Sequence, residues 1–456
     1  MYRDHVAGAS VVRVSTTARL YSALVQRDHA AEAELPPDVR RRVPGNGLRL
    51  VGANALQSSG DQSVNASTVL PWLFAVLGVP AALTGVLVPI RESGSMLPQA
   101  LLTPLVLRVR RRKWVFVTGA LVQAAGVAVM AATAALGAGL TAGVVIVAAL
   151  AVFALGRCLC SIASKDVQGR TVPKGERGQI TGLATTAAGL VAVTLGVAIR
   201  LLGGDDLTAG QLAWLLAAGA VLWVLVAAVY ATVREPDGEP RPRAAAEETG
   251  PTDGWFAQAR HLLHDDKTFR HFVTVRSLLL VSALSPPFVV TLSLQSGTDS
   301  LAGLGGFVVA AGLAQLLGGR AFGRAADRSS RRLMSVGAGI AAAVALTTVA
   351  VVALPGFDGA RWWGNLFFVA VYFTLTLMHT GVRVGRKTYV VDMAEGDRRT
   401  TYVAVANSVM GLVLLVVGAI SSLLAVAGVT WALVFLAAMG LAGVFAGARL
   451  PDVSRR

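Results

Sequence analysis

The sequence predicts an all-α membrane protein of twelve transmembrane helices. They form two pseudo-symmetric six-helix bundles, with both termini cytoplasmic. Three observations carry this: a composition too apolar for a soluble chain, twelve apolar runs, and a one-sided distribution of basic residues. Of 456 residues, 54% are apolar and 15% charged, where a soluble domain carries roughly 25% charge. A disordered chain would be charge-rich and apolar-poor. Two cysteines are too few for a disulfide scaffold. The net charge of +15 sits between apolar runs rather than on one face, so no nucleic-acid partner is expected.

A helix needs about 20 apolar residues to cross a hydrocarbon core of ~30 Å. In the first half the runs are 67–89, 93–107, 114–136, 142–164, 180–201 and 210–233. In the second they are 270–294, 301–319, 333–354, 363–382, 402–425 and 428–448. The short run at 93–107 is expected to begin earlier, taking in Ile90, Arg91 and Glu92. Five units follow: a cytoplasmic N-terminal segment (1–66), a six-helix bundle (67–233), a cytoplasmic linker (234–267), a second bundle (268–449) and a tail (450–456). With the N-terminus inside and residues 234–276 counted as one cytoplasmic stretch, 37 of the 41 Lys and Arg are cytoplasmic, and only Arg91, Arg200 and Arg361 fall outside. The positive-inside bias thus gives the orientation. Eight Arg and no uninterrupted apolar core in the first 60 residues argue against a signal peptide. Val11, Val12, Val14, Leu20, Leu24 and Val25 share a helix face there, either packed on the protein or lying on anionic lipid.

Residues 234–267 open with REPDGEPRPRAAAEETGPTDG, a linker rich in Pro, Gly and charge. Trp255, Phe256, Ala259, Leu262 and Leu263 then share one face, which suggests an interfacial helix. Across this linker the halves repeat weakly. At an offset of 221, Lys165 maps to Arg386, Gly175 to Gly396 and Arg177 to Arg398. At 222, Gly189 and Gly196 map to Gly411 and Gly418. Seven-residue spacing sets each Gly pair on one helix face, where small residues let helices approach closely.

A parallel repeat of six spans is a transporter layout. Over about residues 60–450 the chain resembles the major facilitator superfamily. The local signature follows the eighth span: Gly323-Arg324-Ala325-Ala326-Asp327-Arg328-Ser329-Ser330-Arg331-Arg332. It looks like the family's G-x-x-x-D-R-x-G-R-R motif, with Ser330 in place of the second Gly. By that resemblance Gly323, Asp327, Arg328, Arg331 and Arg332 form a conformational latch, in which an Asp at a helix N-terminus pairs with Arg. The matching first-half loop, from Pro104 through Arg108 to Lys113, keeps the basic run and lacks the Gly and the Asp. The fifth span, Gly182 to Gly189, lacks the Gly-Pro signature of the family's drug/proton antiporters. Arg157-Cys-Leu-Cys-Ser161 resembles the family's fourth-span motif, whose Arg is implicated in proton coupling, without the Gln-Gly that usually follows.

An ionisable group within a span is costly unless paired or hydrated, so each is a functional candidate. Arg157 lies inside the fourth span. His379 lies deep inside the tenth span, and the ordinary titration range of His is near neutral. Arg276 opens the seventh span ahead of Pro286 and Pro287, where a kink is expected. In the family the first, fourth, seventh and tenth spans line a central cavity. The resemblance thus gathers Arg157, Arg276 and His379 around one inner vestibule suited to an anionic solute. Glu92, beside Arg91, is either a proton-coupling group or half of an outer-loop ion pair. Asp61 and Asn65 precede the first span, and Lys165 and Asp166 close the fourth. These four are gate candidates, with helix starts and interface pairs as the plainer alternatives. Thr185, Thr186, Gln315 and Asn407 either touch solute or bond across helices. Cys158 and Cys160 project about 200° apart and cannot easily pair. His261 and His264 lack a third metal ligand.

The expectation is a secondary transporter of this superfamily in the cytoplasmic membrane. It would move a small, anionic solute by alternating access, with the proton as coupling ion, and act as a monomer in the lipid bilayer. No cofactor, metal, ATP-binding loop or enzymatic activity is expected. Two rivals stand beside it. One is efflux of hydrophobic compounds. The other is a non-transporting receptor or assembly factor acting through 1–66 or 234–267.

Overall fold

The computed structural model describes residues 16–27, 29–33, 35–99, 102, 105, 106, 108–202, 208–236, 255–298, 301–393 and 398–451. Among them every regular element is helical. Helix α1 (Thr16–Leu24) and two short turns, α2 (His29–Ala33) and α3 (Pro37–Arg40), precede the first long helix, α4 (Val43–Ser63). Then come α5 (Val69–Val76), α6 (Thr84–Met96), α7 (Lys113–Leu136), α8 (Gly139–Thr171), α9 (Lys174–Leu202) and α10 (Ala209–Ala231). The second half holds α11 (Trp255–Asp265), α12 (Lys267–Leu278), α13 (Val281–Gln295), α14 (Leu301–Val352), α15 (Trp362–Met393), α16 (Arg398–Ala427) and α17 (Val429–Gly447).

Eight helical stretches among the described residues are long and apolar enough to cross a membrane. Their outward faces carry large apolar side chains such as Trp214, Leu423, Val426 and Phe445. That surface is costly in water and is at ease in hydrocarbon.

The expected single span at 67–89 is instead two helices with a turn between them. Gly78 adopts φ +67°, a backbone state a side chain would strain, and Pro80 then starts the short 3₁₀ turn Ala81–Leu83. The N–H of Gly139 donates to Leu77 O at 2.6 Å, so this turn lies beside the one before α8. The boundary expected at 66/67 therefore falls in the break between α4 and α5. α4 packs on α9 and α10 as part of the bundle, not as a cytoplasmic tail. Arg91 and Glu92 consequently lie within α6 rather than in a loop.

The expected kink at Pro286 and Pro287 is also displaced. Both lie inside α13, and the break comes earlier, at Leu279–Leu280. A proline crowds the carbonyl four residues before it. Here those carbonyls belong to Ser282 and Ala283, just after the break.

The two repeated glycine pairs form the seams between halves. α9 runs along α14, and a Cβ at Gly196 would stand 2.8 Å from Gly305 O. A Cβ at Gly189 would stand 2.6 Å from Leu316 Cγ. α6 runs along α16, where a Cβ at Gly411 would stand 2.8 Å from Leu97 Cγ and one at Gly418 would overlap Pro89. Ser93 Oγ, on α6, donates to Gly411 O at 2.7 Å.

Candidate functional site

A cavity of about 190 Å³ lies between the halves. The first half contributes Asn65 and Ser67, at the α4–α5 break, and Arg91 and Glu92 on α6. The second contributes Ser282 and Pro286 on α13, Gln315 on α14, and one face of α15. That face reads Tyr372, Thr376, His379, Arg383 and Arg386. Steps of three and four residues stack these side chains over ~21 Å, at 1.5 Å rise per residue.

The break after α4 aims its last turn at the neighbouring helices. Asn65 Oδ1 accepts from Ser67 N at 2.9 Å and turns the chain. Asp61 then faces α6 and α8. Its two oxygens accept from Arg157 Nη1 at 2.7 and 2.8 Å, and one also accepts from Arg91 Nη2 at 2.9 Å. One carboxylate thus serves two guanidiniums from two other helices. Removing one partner of such an interior pair typically costs about 3–5 kcal/mol, because the other charge is left uncompensated.

The α15 side differs. Among the described residues Arg383 and Arg386 have no carboxylate partner, and Glu92 forms no ion pair. Three guanidiniums and His379 therefore line the cavity against one carboxylate. His379 Nδ1, Thr376 Oγ1 and Ser282 Oγ are buried there without a hydrogen-bond partner among the described residues. Each such group costs roughly 1–3 kcal/mol until something bonds to it.

Aromatic side chains from both halves meet next to Tyr372, which lines the cavity. Trp72 of α5 lies 6.0 Å, centroid to centroid, from Phe307 of α14. Phe307 lies 5.2 Å from Tyr372. These sit toward the end that holds the turns at 77–80 and 137–138. Arg383 and Arg386 point the cavity toward the opposite, basic end, where Arg383 is exposed.

The vestibule expected from Arg157, Arg276 and His379 is built differently. Arg157 is tied to Asp61. Arg276, buried on α12, donates from Nη2 to Asn407 Oδ1 of α16 at 3.1 Å and does not line the cavity. His379 alone of the three lines it. Its positive charge comes from Arg383 and Arg386, counted in sequence as loop residues. Their signal was present: the spacing from His379 continues through both.

The other candidates lie at the basic end. Asp166 forms ion pairs with Arg112, Nε at 3.2 Å, and with Arg170, Nη2 at 3.0 Å, all within the first half, so it bridges no gap between halves. Lys165 is exposed. Arg331 donates to Ala448 O at 3.1 Å and Leu450 O at 2.9 Å, capping α17. Arg328 and Arg332 are exposed, and α14 bends at Ser329, where φ is −167° and ψ 99°. Gly323 is on α14, and the Asp327 side chain lies outside the described residues.

The first half makes the same cap with other residues. Lys113 Nζ donates to Ala231 O and Val233 O, both at 2.9 Å, at the end of α10. The missing loop carboxylate is replaced by Glu235, which accepts from the N–H groups of Arg112 at 3.1 Å and Lys113 at 2.8 Å. Burial raises the Glu235 carboxyl above its ordinary range, against the pull of those two N–H groups. Cations at helix C-termini satisfy the last carbonyls and the dipole.

His261 and His264 pair with Asp265, at 2.9 and 3.0 Å. No metal-ligand cluster occurs among the described residues. Gln315 lines the cavity and Thr186 is exposed, while the Thr185 side chain lies outside the described residues.

The sequence model described as Major Facilitator Superfamily matches residues 53–352, beginning inside α4. The chain belongs to this superfamily. No curated protein matches it closely in sequence. Among solved structures, a POT family transporter in complex with 5-aminolevulinic acid superposes with a TM-score of 0.68 at 12% identity, over 88% of this chain and 94% of that one. A D-xylose–proton symporter gives 0.65 at 14%, over 89% and 98%. The nucleoside transporter NupG gives 0.61 at 13%, over 89% and 98%. At such identities the likeness is one of fold. It marks this superfamily member as a multi-pass membrane protein with a transporter's fold.

Proposed function

We propose that the chain is a proton-coupled secondary transporter of a small anionic solute in the cytoplasmic membrane. Twelve spans are assigned as follows. α4 with α5 is the first, and α6 belongs to the second. α7 to α10 are the third to sixth, and α12 with α13 the seventh. The two arms of α14 are the eighth and ninth, and α15, α16 and α17 complete the set. The basic end is cytoplasmic. With Arg91 moved into α6, only Arg200 and Arg361 remain as outer basic residues. The aromatic trio then lies toward the outer side, and the cavity faces inward.

One observation carries the reading: Arg91 both binds Asp61 and lines the cavity. An anion arriving beside Arg383 and Arg386 competes with Asp61 for Arg91. Asp61, losing one of its two cations, becomes easier to protonate. Proton and anion therefore bind cooperatively, and each raises the other's affinity by the same factor. Among the fold's solved relatives, one is named as a proton symporter and another was solved with 5-aminolevulinic acid, which carries a carboxylate.

The test is thermal stabilisation of purified protein by a panel of carboxylates, phosphates, neutral solutes and lipophilic cations, since a ligand of the folded state must stabilise it. An anion should stabilise the wild type and fail on Arg386→Gln, and its uptake into liposomes should follow an imposed proton gradient. Stabilisation by lipophilic cations alone would overturn this reading in favour of efflux.

A further inference from the structure

The N-terminal segment builds a second basic site that the transport reading leaves unused. α1 docks at the basic end. Tyr21 is buried against Gly47 of α4, and its hydroxyl donates to Glu176 Oε2 at 2.6 Å. Gln26 exchanges two hydrogen bonds with the Gln179 side chain, at 2.7 and 2.9 Å. Between α1–α3 and the start of α4 opens a cavity of about 610 Å³.

Arginines dominate its lining. Arg40, Arg41, Arg42, Arg49 and Arg234 face it together with Arg27. Glu32 is the one carboxylate among the described lining residues, and Arg27 occupies both of its oxygens, at 2.7 and 2.6 Å. Arg41 pairs with the exposed Asp38 at 2.8 Å, and Arg40 spends one N–H on Ala33 O. Arg42, Arg49 and Arg234 have no carboxylate partner among the described residues. A fourth source of positive potential points the same way. α4 is 21 residues long, no side chain caps its N-terminus, and Pro44 and Gly45 of its first turn line the cavity. A helix start carries about half a positive charge and offers backbone N–H groups to anions.

Like charges gathered around one cavity interact over the ~8 Å screening length of physiological salt. They repel one another unless an anion sits among them. Arginine's planar fork matches the oxygens of phosphate. We propose that this cavity binds a phosphate group and thereby fastens the N-terminal segment to α4. The phosphate belongs either to an anionic lipid headgroup, which clusters of this size at a membrane surface attract, or to a soluble phosphate compound.

The test uses full-length protein in phosphatidylcholine nanodiscs and reads thermal unfolding. Inorganic pyrophosphate is added at constant ionic strength, with chloride as the reference. In parallel, phosphatidylglycerol replaces part of the phosphatidylcholine. One of the two should raise the melting temperature saturably, by roughly 2–4 °C. Pyrophosphate acting in pure phosphatidylcholine assigns a soluble ligand, and phosphatidylglycerol acting alone assigns the headgroup. The rise should vanish in the double variant Arg42→Gln/Arg49→Gln and return in Arg42→Lys/Arg49→Lys. It should persist in Arg386→Gln, whose change is in the central cavity. No rise in the wild type overturns the proposal whether or not the double variant folds. So does an equal rise in Arg42→Gln/Arg49→Gln, or a loss in Arg386→Gln.

Discussion

The two walls of the central cavity hold similar cations in opposite ways. In the first half, Arg91, which lines the cavity, and Arg157, which does not, both pair with Asp61. On the second-half wall, Arg383 and Arg386 have no ion-pair partner among the described residues, and Arg276 donates to the neutral Asn407. A compensated wall and an uncompensated wall suit different visitors. In the proposed mechanism Asp61 exchanges a guanidinium for a proton, and Arg383 and Arg386 receive the anion.

The largest expected effect comes from breaking the compensated wall. Asp61→Ala leaves two guanidiniums without their carboxylate and should destabilise the protein by about 3–5 kcal/mol, read as a lowered melting temperature in detergent. Asp61→Asn keeps the shape and removes the titration. It should retain solute counterflow and lose proton-driven accumulation. Equal loss of both activities would remove Asp61 from coupling and leave it a structural ion pair.

The uncompensated wall should respond in reverse. Arg386→Gln removes a charge that no described carboxylate balances, so stability should hold or rise. Affinity for the anionic solute should fall about tenfold or more, the scale of one charge-assisted hydrogen bond at 1.5–3 kcal/mol. Binding measured by the same thermal shift, across several solute concentrations, separates the two effects. A variant that is destabilised and binds normally would place Arg386 in packing rather than recognition.

This asymmetry was only half legible in the sequence. The long apolar runs announced α7, α8, α10, α16 and α17, because hydrocarbon-facing helices must be apolar along their length. α4 stayed hidden because Asn46, Arg49, Asn54, Gln57, Asp61 and Gln62 interrupt its pattern. It is shielded by α9 and α10 on one side and turns polar groups inward on the other. Without α4 in the bundle, Asp61 had no route to Arg91 or Arg157. Arg383 and Arg386 were hidden for another reason. A basic residue near a span end reads as a cytoplasmic marker, and only the α15 register shows that its face is a cavity wall. The glycine pairs were legible because their seven-residue spacing already implied a shared face.

Those glycines provide a smaller perturbation, which affects how the walls move rather than what they bind. Gly196→Val puts a side chain against the backbone of α14, where even a Cβ would stand 2.7 Å from Val309 N. Overpacking of this kind costs about 1–3 kcal/mol. The cost falls on states in which the α9–α14 seam is closed. Solute binding should survive while turnover drops severalfold, measured as exchange across liposomes. Unchanged exchange would mean that this seam stays loose in every state the carrier visits.

The smallest effect lies at the basic end, where the halves make equivalent caps from different residues. Lys113→Ala and Arg331→Ala each remove a cation from the last carbonyls of α10 or α17, at about 1 kcal/mol apiece. Among the described residues, the first-half cap includes a buried carboxylate, Glu235. The Glu235 pKa is raised by burial, so the folded state favours its protonated form. That contribution to stability is complete below the unfolded value of 4.5 and is lost as pH rises through the folded value. Relative to Glu235→Gln, the wild type should therefore gain stability as pH falls from neutral toward that value. The variant should show a flatter profile. Parallel profiles would mean that the N–H groups of Arg112 and Lys113 hold the charged carboxylate well enough to cancel its burial.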